Sequence, residues 1–383
     1  MVLDTVQSHG GDRATTQDTQ REQMTASGAR YSIAVIAGDG IGPEVVPAAL
    51  GSLRLVAERF GFTLDVTEFD WGSDHYHRHG RMMPVDGLDQ LARHDAIFLG
   101  AVGDPSIPDV ETLWGLLIPI RRTFDQYINL RPVRTLPGVP SPVVGGEHID
   151  LVIVRENVEG EYSSVGGRIY QGQPAEAAVQ ESIFTRRGVE RAARFAAELA
   201  TGRRNKLTSA TKSNGIIHTM PFWDEVVAET VTGFPSVTLD KVLIDALAAK
   251  LVLDPASFDV IVASNLFGDI LSDLAGALAG SIGVAPSGNL NPERAHPSMF
   301  EPVHGSAPDI AGQGVANPVG QLWAGAMMLR HLGRPEAADA VEAAFEGCLR
   351  DGIRTRDLGG TAGTAEFAAA VDDRLRNPRH EED

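Results

Sequence analysis

From Tyr31 onward, short apolar runs alternate with amphipathic stretches, and that rhythm limits what the chain can fold into more than any other feature. YSIAVIA is followed by GPEVVPAALGSLRLVAERFG, and FDVIVAS by GDILSDLAGALAG. A short apolar run followed by a segment with helical periodicity is strand then helix, and its repetition predicts an α/β fold with a mainly parallel sheet. The rhythm breaks at residues 151–185, where LVIVRENVEGEYSSVGGRIYQGQPAEAAVQESIFT reads as strands and turns with no helix between them. Such a stretch points to a second domain carrying a β projection, of the kind that pairs with another subunit. No linker is long enough to separate the domains, so the second is expected as an insertion in the first.

The chain has 383 residues, 43% hydrophobic and 22% charged, which is enough for a large buried core. Its formal net charge of -18 argues against a nucleic-acid or anionic-membrane partner, because phosphate binding needs a concentrated basic field. Any anionic substrate must then meet a few locally placed arginines. No apolar run is long enough for a membrane span, and the amino terminus lacks the basic start and apolar centre of a secretory signal, so a cytoplasmic location is expected. Residues 1–30 are polar and without periodicity, and are expected to be a flexible extension outside the fold. The single cysteine, Cys348, excludes an intrachain disulfide and reads as a packing thiol within the helical pattern VEAAFEGCLRDG.

The segment AGDGIGPE, directly after the first apolar run, invites comparison with the dinucleotide fingerprint G-x-G-x-x-G. Its glycines are Gly38, Gly40 and Gly42, so the third comes one residue early, and Pro43 follows at what reads as the first helical position. The Rossmann spacing fails. What remains is a tight strand-to-helix turn whose backbone can approach a ligand closely, a geometry that also occurs for structural reasons alone.

Asp269 and Asp273 lie four apart in NLFGDILSDLAG, on a predicted helix after a buried strand. At that spacing their carboxylates share one face, and a hard divalent cation such as Mg²⁺ or Mn²⁺ removes their mutual repulsion. Helix-dipole stabilisation near the helix start is the competing explanation, and it suits Asp269 better than Asp273. Arg121, Arg131 and Arg155 each stand beside apolar or turn residues, where they suit a polycarboxylate or simply make salt bridges. Lys212 in TSATKSNG and Tyr162 in EGEYSS are candidates for proton transfer. HYHRHG places His75, His77 and His79 at alternate positions, but with nearby Gly72, Gly80 and Pro84 it reads as a loop or helix end with solvated histidines instead of a zinc site. His304 sits in the loop EPVHGSAPDIAG, where Asp309 is placed to accept hydrogen bonds from ribose hydroxyls.

GDGIGPE, RRTFDQYINLRP, VRENVEGEY, TKSNG, NLFGDILSD and EPVHGSAPDIAGQGVANP, in this order, resemble the β-decarboxylating dehydrogenases that include isopropylmalate and isocitrate dehydrogenases, over about residues 31–375. FDWGSDHYHRHGRMMP, LWGLLIPIRRTFDQYINLRPVR and SATKSNG are similar to the tartrate dehydrogenase/decarboxylase and D-malate dehydrogenase branch of that family. The resemblance implies an isopropylmalate dehydrogenase-like, non-Rossmann two-domain α/β fold with a β projection at the interface of a homodimer that shares its active sites. Residues 31–126 and 281–383 would form the large, cofactor-binding domain, and 127–280 the small domain of dimerisation and metal binding. Arg121, Arg131 and Arg155 would hold the substrate carboxylates, with Tyr162 and Lys212 transferring protons. Asp269 and Asp273 would hold Mg²⁺ or Mn²⁺ together with Asp245, and Lys212 and Asp245 would come from the partner chain. NAD would lie along Ile41, Asn214, Glu301, the loop His304, Gly305, Ser306, Ala307 to Asp309, and Asn317, the charge of Asp309 disfavouring NADP.

The implied reaction is NAD-dependent oxidation of a 2-hydroxy dicarboxylic acid with β-decarboxylation, taking D-malate to pyruvate, CO₂ and NADH. Specificity is expected from Trp114, Leu117 and Ile118, where the family faces the C3 substituent. An inward Trp114 leaves room for H or OH, which favours D-malate or tartrate. The alternatives are 3-isopropylmalate as substrate, which an apolar lining also suits, and a non-catalytic subunit of the same fold. The intact set Tyr162, Lys212, Asp245, Asp269 and Asp273 argues against the second.

Overall fold

The computed structural model describes residues 28–378, so most of the extension expected at 1–30 lies outside the described residues. Ten of its twelve strands form one sheet. The strands are β1 (Arg30–Gly38), β2 (Thr63–Phe69), β3 (Ala96–Ala101), β4 (Ile128–Arg134), β5 (Asp150–Glu156), β6 (Gly166–Ile169), β7 (Ala177–Gln180), β8 (Lys206–Thr211), β9 (Thr238–Leu243), β10 (Val260–Ala263), β11 (Pro286–Leu290) and β12 (Ser298–Pro302). The order across the sheet is β2-β1-β3-β12-β11-β4-β5-β10-β8-β9, and β6 and β7 pair separately.

The strand-helix rhythm is realised at both flanks. The pairs β2-β1, β1-β3 and β3-β12 are parallel, as are β5-β10, β10-β8 and β8-β9. Between these blocks the expectation of a mainly parallel sheet gives way, since β12-β11, β11-β4 and β4-β5 are all antiparallel. The cause is connectivity: β4 reaches β5, and β11 reaches β12, without the crossover helix that a parallel pair requires. The two parallel blocks therefore run in opposite directions.

Strands buried on both faces need continuous apolar sequence, and β3 (AIFLGA) and β10 (VIVA) are buried at every residue. Helix Gly42–Arg59 buries Val45, Val46, Ala49, Leu50, Leu53, Val56 and Ala57, the spacing of a single helical stripe. It and helix Val319–His331 pack at the β1-β3-β12 block, while helices Arg186–Thr201 and Asn265–Leu278 pack at β5 and β10. Cys348 is fully buried in helix Pro335–Arg350, as its packing role requires. The hairpin β6-β7 is exposed at every residue, with Ile169, Tyr170 and Val179 among its exposed side chains. Among the described residues, no helix is long and apolar enough to cross a membrane.

Candidate active site

The antiparallel centre of the sheet carries a polar floor. Side chains two apart on a strand share a face, and directly paired residues share it across strands. Asn129 and Arg131 on β4, Arg155 opposite Asn129 on β5, Ser287 and Asn289 on β11, and Glu301 opposite Ser287 on β12 therefore project together. All are buried. Asn129 donates to Ser287 Oγ (2.7 Å) and Asn289 Oδ1 (2.9 Å), and accepts from Arg131 Nε (2.7 Å). Glu301 Oε1 accepts from Asn289 Nδ2 (2.7 Å) and Arg121 Nη2 (2.9 Å). Each polar group on this floor fixes another, so the guanidiniums of Arg121 and Arg131 are held by a rigid network.

Helix Asn265–Leu278 closes over this floor. Gly268 allows the approach, because a Cβ there would lie 2.6 Å from Arg155 Cβ. Asn265 Oδ1 accepts from Arg155 Nε (3.0 Å) and Nη2 (2.7 Å), which turns Arg155 Nη1 into an ion pair with Asp269 Oδ1. Arg131 reaches Asp269 through Nη2 (3.3 Å) and Asp273 through Nη1 (3.2 Å). The Tyr162 hydroxyl donates to Asp269 Oδ2 (3.0 Å). Arg131, Arg155, Tyr162, Asp269 and Asp273 thus meet as one cluster, which Arg121 joins from below through Glu301.

Electrostatics separate the two carboxylates. Burial works to raise Asp269, but the charges of Arg155 and then Arg131 outweigh it and leave the carboxyl below its ordinary range. Burial raises Asp273, with Arg131 opposing only in part. The Tyr162 phenol is raised by burial first and by the Asp269 charge second, so it stays protonated at neutral pH. Burial lowers Arg155 to about 10, still cationic at neutral pH. The oxygen-only donors Asp269 and Asp273 on one helix face fit a hard divalent cation.

Lys212 and Asp245 lie elsewhere. Lys212 follows β8 and Asp245 opens helix Ile244–Leu253 after the neighbouring β9; they pair at 2.7 Å with side-chain exposures of 31% and 66%. The hydrogen bond from Lys212 lowers the Asp245 carboxyl below its ordinary range. Among the described residues, no three His, Cys, Asp or Glu side chains are grouped to hold a metal, so Asp245 does not join Asp269 and Asp273 within one chain. Asn214 is exposed on the turn that carries Lys212.

A cleft of about 490 Å³ is lined by Ile41, His304, Ala307, Asn317 and Asp357 among others. The turn after β1 abuts its loop: Gly40 has φ +57°, and a Cβ there would sit 1.9 Å from the Ser306 carbonyl oxygen, which accepts from Ile41 N at 2.8 Å. Glu44 in the following helix accepts from the backbone of Gly314 (3.0 Å) and Gly312 and ties the far end of the loop down. Asn317 donates to Asp357 (2.9 Å). His304 Nε2 is buried without a hydrogen-bond partner, and burial lowers the imidazole below its ordinary range, so it is neutral at pH 7. An apolar cleft with an orphaned polar nitrogen and backbone-lined walls fits a dinucleotide. Gly305 and Asp309 are exposed on the same loop, and Asp309 does not line the cleft. Glu301 lies at the end of β12, just before this loop, and its carboxylate is turned into the floor against Arg121 and Asn289.

Trp114 and Leu117 lie on one turn of π-helix, Leu113–Leu117, which leads directly into the helix bearing Arg121. The Arg122 guanidinium stacks on the Trp114 ring at 4.9 Å and donates to the Tyr162 carbonyl at 2.7 Å, bringing Trp114 beside the Tyr162 segment. Ile118 is buried and Leu117 packs against the adjoining core. Of the expected loop or helix end the histidine run forms the helix Ser73–His79, with His77 and His79 exposed as expected, but His75 departs from the expectation of a solvated ring: it is buried with Nδ1 2.7 Å from the Arg81 carbonyl. Sequence reasoning missed Asn129, Asn289, Asn265 and Glu161. Apart from the Asn129–Arg131 contact, their amides and carboxylate act through neighbours distant in the chain, so no local motif marks them.

Known proteins place this arrangement. The family model for isocitrate/isopropylmalate dehydrogenase matches residues 32–371. A protein of Agrobacterium vitis named probable tartrate dehydrogenase/decarboxylase is 54% identical over 345 residues, covering 89% of this chain and 96% of its own length. D-malate dehydrogenase [decarboxylating] of Escherichia coli (strain K12) is 54% identical over 349 residues, covering 88% and 97%. The crystal structure of isocitrate dehydrogenase from Methylococcus capsulatus superposes with a TM-score of 0.82 at 33% identity, covering 91% of this chain and 100% of that one. The chain belongs to the isocitrate/isopropylmalate dehydrogenase family.

Proposed function

We propose that this oxidoreductase uses NAD⁺ and a divalent metal to oxidise a 2-hydroxy dicarboxylate, D-malate or tartrate, and that it decarboxylates the product, giving pyruvate, CO₂ and NADH from D-malate. The observation that carries the reading is the convergence of Arg131, Arg155 and the Tyr162 hydroxyl on Asp269, with Asp273 beside it. The names of the relatives support the substrate class. Guanidiniums held rigidly, Arg131 and Arg155 on the sheet and Arg121 from a helix tied to it through Glu301, bind two carboxylates in fixed orientation, and we assign that task to these three.

Asp269 and Asp273 would hold Mg²⁺ or Mn²⁺ with Asp245 of a second copy, since among the described residues of one chain Asp245 does not group with them to hold a metal. Lys212, paired with Asp245, would arrive from that same copy and take the 2-hydroxyl proton. When bound, the metal supplies Lewis-acid polarisation at the substrate C2 oxygen, and NAD⁺ in the His304 cleft supplies the hydride acceptor. After CO₂ leaves, the protonated Tyr162 hydroxyl returns a proton to C3. The exposed β6-β7 hairpin is the surface that suits pairing with the second copy. Trp114, fixed beside Tyr162 by Arg122, limits the C3 substituent to H or OH.

Comparing kcat/KM for D-malate, tartrate and 3-isopropylmalate with NAD⁺ and Mn²⁺ tests this reading. D-malate or tartrate should lead by at least tenfold, and a preference for 3-isopropylmalate would overturn it.

A further inference from the structure

The geometry assigns Glu161 as a positioning residue for the carboxylates of helix Asn265–Leu278. The assignment rests on the metal-binding reading of Asp269 and Asp273. Ser264 is the N-cap of that helix, yet its side chain caps no backbone N–H; its hydroxyl instead donates to Glu161 Oε1 at 2.7 Å. Glu161 Oε2 accepts from Leu266 N at 3.0 Å. A carboxylate from a separate segment thus takes over the capping function, and its charge faces the positive end of the helix.

Glu161 precedes Tyr162, whose hydroxyl holds Asp269 Oδ2. The two adjacent side chains therefore grip the helix at Leu266 and at Asp269, nearly one turn apart, and set both its position along its axis and the direction of Asp269. A third tie runs from the same segment, where the Glu159 carbonyl accepts from Asn265 Nδ2 at 3.1 Å. Asn265 is the residue that aims Arg155. Glu161 itself touches neither arginine nor either aspartate; it acts by fixing the element that carries them.

Leu266 N can only donate and the Ser264 hydroxyl donates here, so a carboxylate satisfies both at once, whereas an amide keeps an acceptor for Leu266 N only if the Ser264 hydroxyl turns round to accept. In Glu161→Gln the charge facing the helix end is lost and the Ser264 hydroxyl must reverse its hydrogen bond, while Glu161→Ala removes both contacts. Residues that orient metal ligands change metal affinity by about 10–100-fold when altered, and the expected effect here is about tenfold weaker Mn²⁺ binding for E161Q and more for E161A.

The test is titration of the full chain with Mn²⁺ alone, following free Mn²⁺ by electron paramagnetic resonance, together with the affinity for NAD⁺ in the remote His304 cleft and the melting temperature. A purely structural role lowers melting without separating the two affinities. Support is a weakened Mn²⁺ affinity in E161Q with wild-type NAD⁺ affinity. A folded E161Q with wild-type Mn²⁺ affinity, or one that loses both affinities equally, overturns the assignment, and E161Q decides even where E161A fails to fold. Asp273→Asn is the control: if it too binds Mn²⁺ like the wild type, the metal reading has failed, whereas loss in D273N alone condemns only Glu161.

Discussion

Gly40→Ala should weaken NAD⁺ binding while leaving the metal site intact. The native backbone at Gly40 has φ +57°, and a left-handed conformation costs an ordinary residue about 1–2 kcal/mol. The added methyl would start 1.9 Å from the Ser306 carbonyl oxygen and 2.8 Å from Ser306 Cβ, so the loop must withdraw. Withdrawal breaks the Ile41 N–H bond to that oxygen, worth about 0.5–1.5 kcal/mol. The sum is about 1.5–3.5 kcal/mol, which at roughly 2 °C per kcal/mol for a chain of this size lowers the melting temperature by about 3–7 °C. If half of the strain must be restored for NAD⁺ to bind against Ile41 and His304, its affinity falls about tenfold. Calorimetry and NAD⁺ titration give both quantities, and Mn²⁺ titration should match the wild type. A variant melting within a degree of the wild type, with NAD⁺ affinity unchanged, would refute the close packing of turn and loop as the reason for this glycine.

Shared sites predict subunit complementation: mixing inactive Lys212→Ala and Asp269→Asn chains and re-assorting them should restore activity, because one site of each mixed dimer is then intact. Persistent inactivity of verified mixed dimers would contradict sharing. Glu156 gives a pH dependence. Burial raises its carboxyl from 4.5 to about 7, with the backbone N–H groups of Glu159 and Val158 opposing. A folded pKa above the unfolded one means that the stabilisation is full below pH 4.5 and is lost as pH rises through about 7, a change of about 3 kcal/mol. The fall in melting temperature from pH 5 to pH 8 should therefore be smaller in Glu156→Gln, and parallel curves would exclude this origin. Trp114→Ala should improve kcat/KM for 3-isopropylmalate relative to D-malate by about tenfold, a step that one or two buried methylenes readily account for; an unchanged ratio would remove Trp114 from the selectivity of the site.

The parallel flanks of the sheet were legible in the sequence because runs such as AIFLGA and VIVA can satisfy their backbone only between other strands. The antiparallel centre was harder to see, since INLRPVR and PSGNL carry arginine, proline and asparagine where a buried strand is expected to be apolar, and only their mutual hydrogen bonds make those residues tolerable there. Arg131, Arg155, Asp269 and Asp273 could be singled out because each charge sits in apolar surroundings. The register that brings Asn129 opposite Arg155, and the turn of Glu301 away from the cleft into the floor, are tertiary facts with no local signature. His75 was misjudged for a related reason: its ring is covered by a helix turn closing on the Arg81 carbonyl, an interaction six residues away that composition does not report. For Asp309 the outcome is different, as its exposed position beside the cleft leaves its role to the bound nucleotide.

The polar floor also bears on how this scaffold can change. Its arginines and asparagines belong to paired strands, where altering one disturbs partners on either side, so the part of the site that grips carboxylates has little freedom to drift. The roof has more. Trp114 and Leu117 occupy a single π-turn outside those strands, so if they face the C3 substituent as proposed, substitutions there would exchange one substituent for another without disturbing the strands. New substrates of the same chemical type would then arise by retailoring that one turn above an unaltered base.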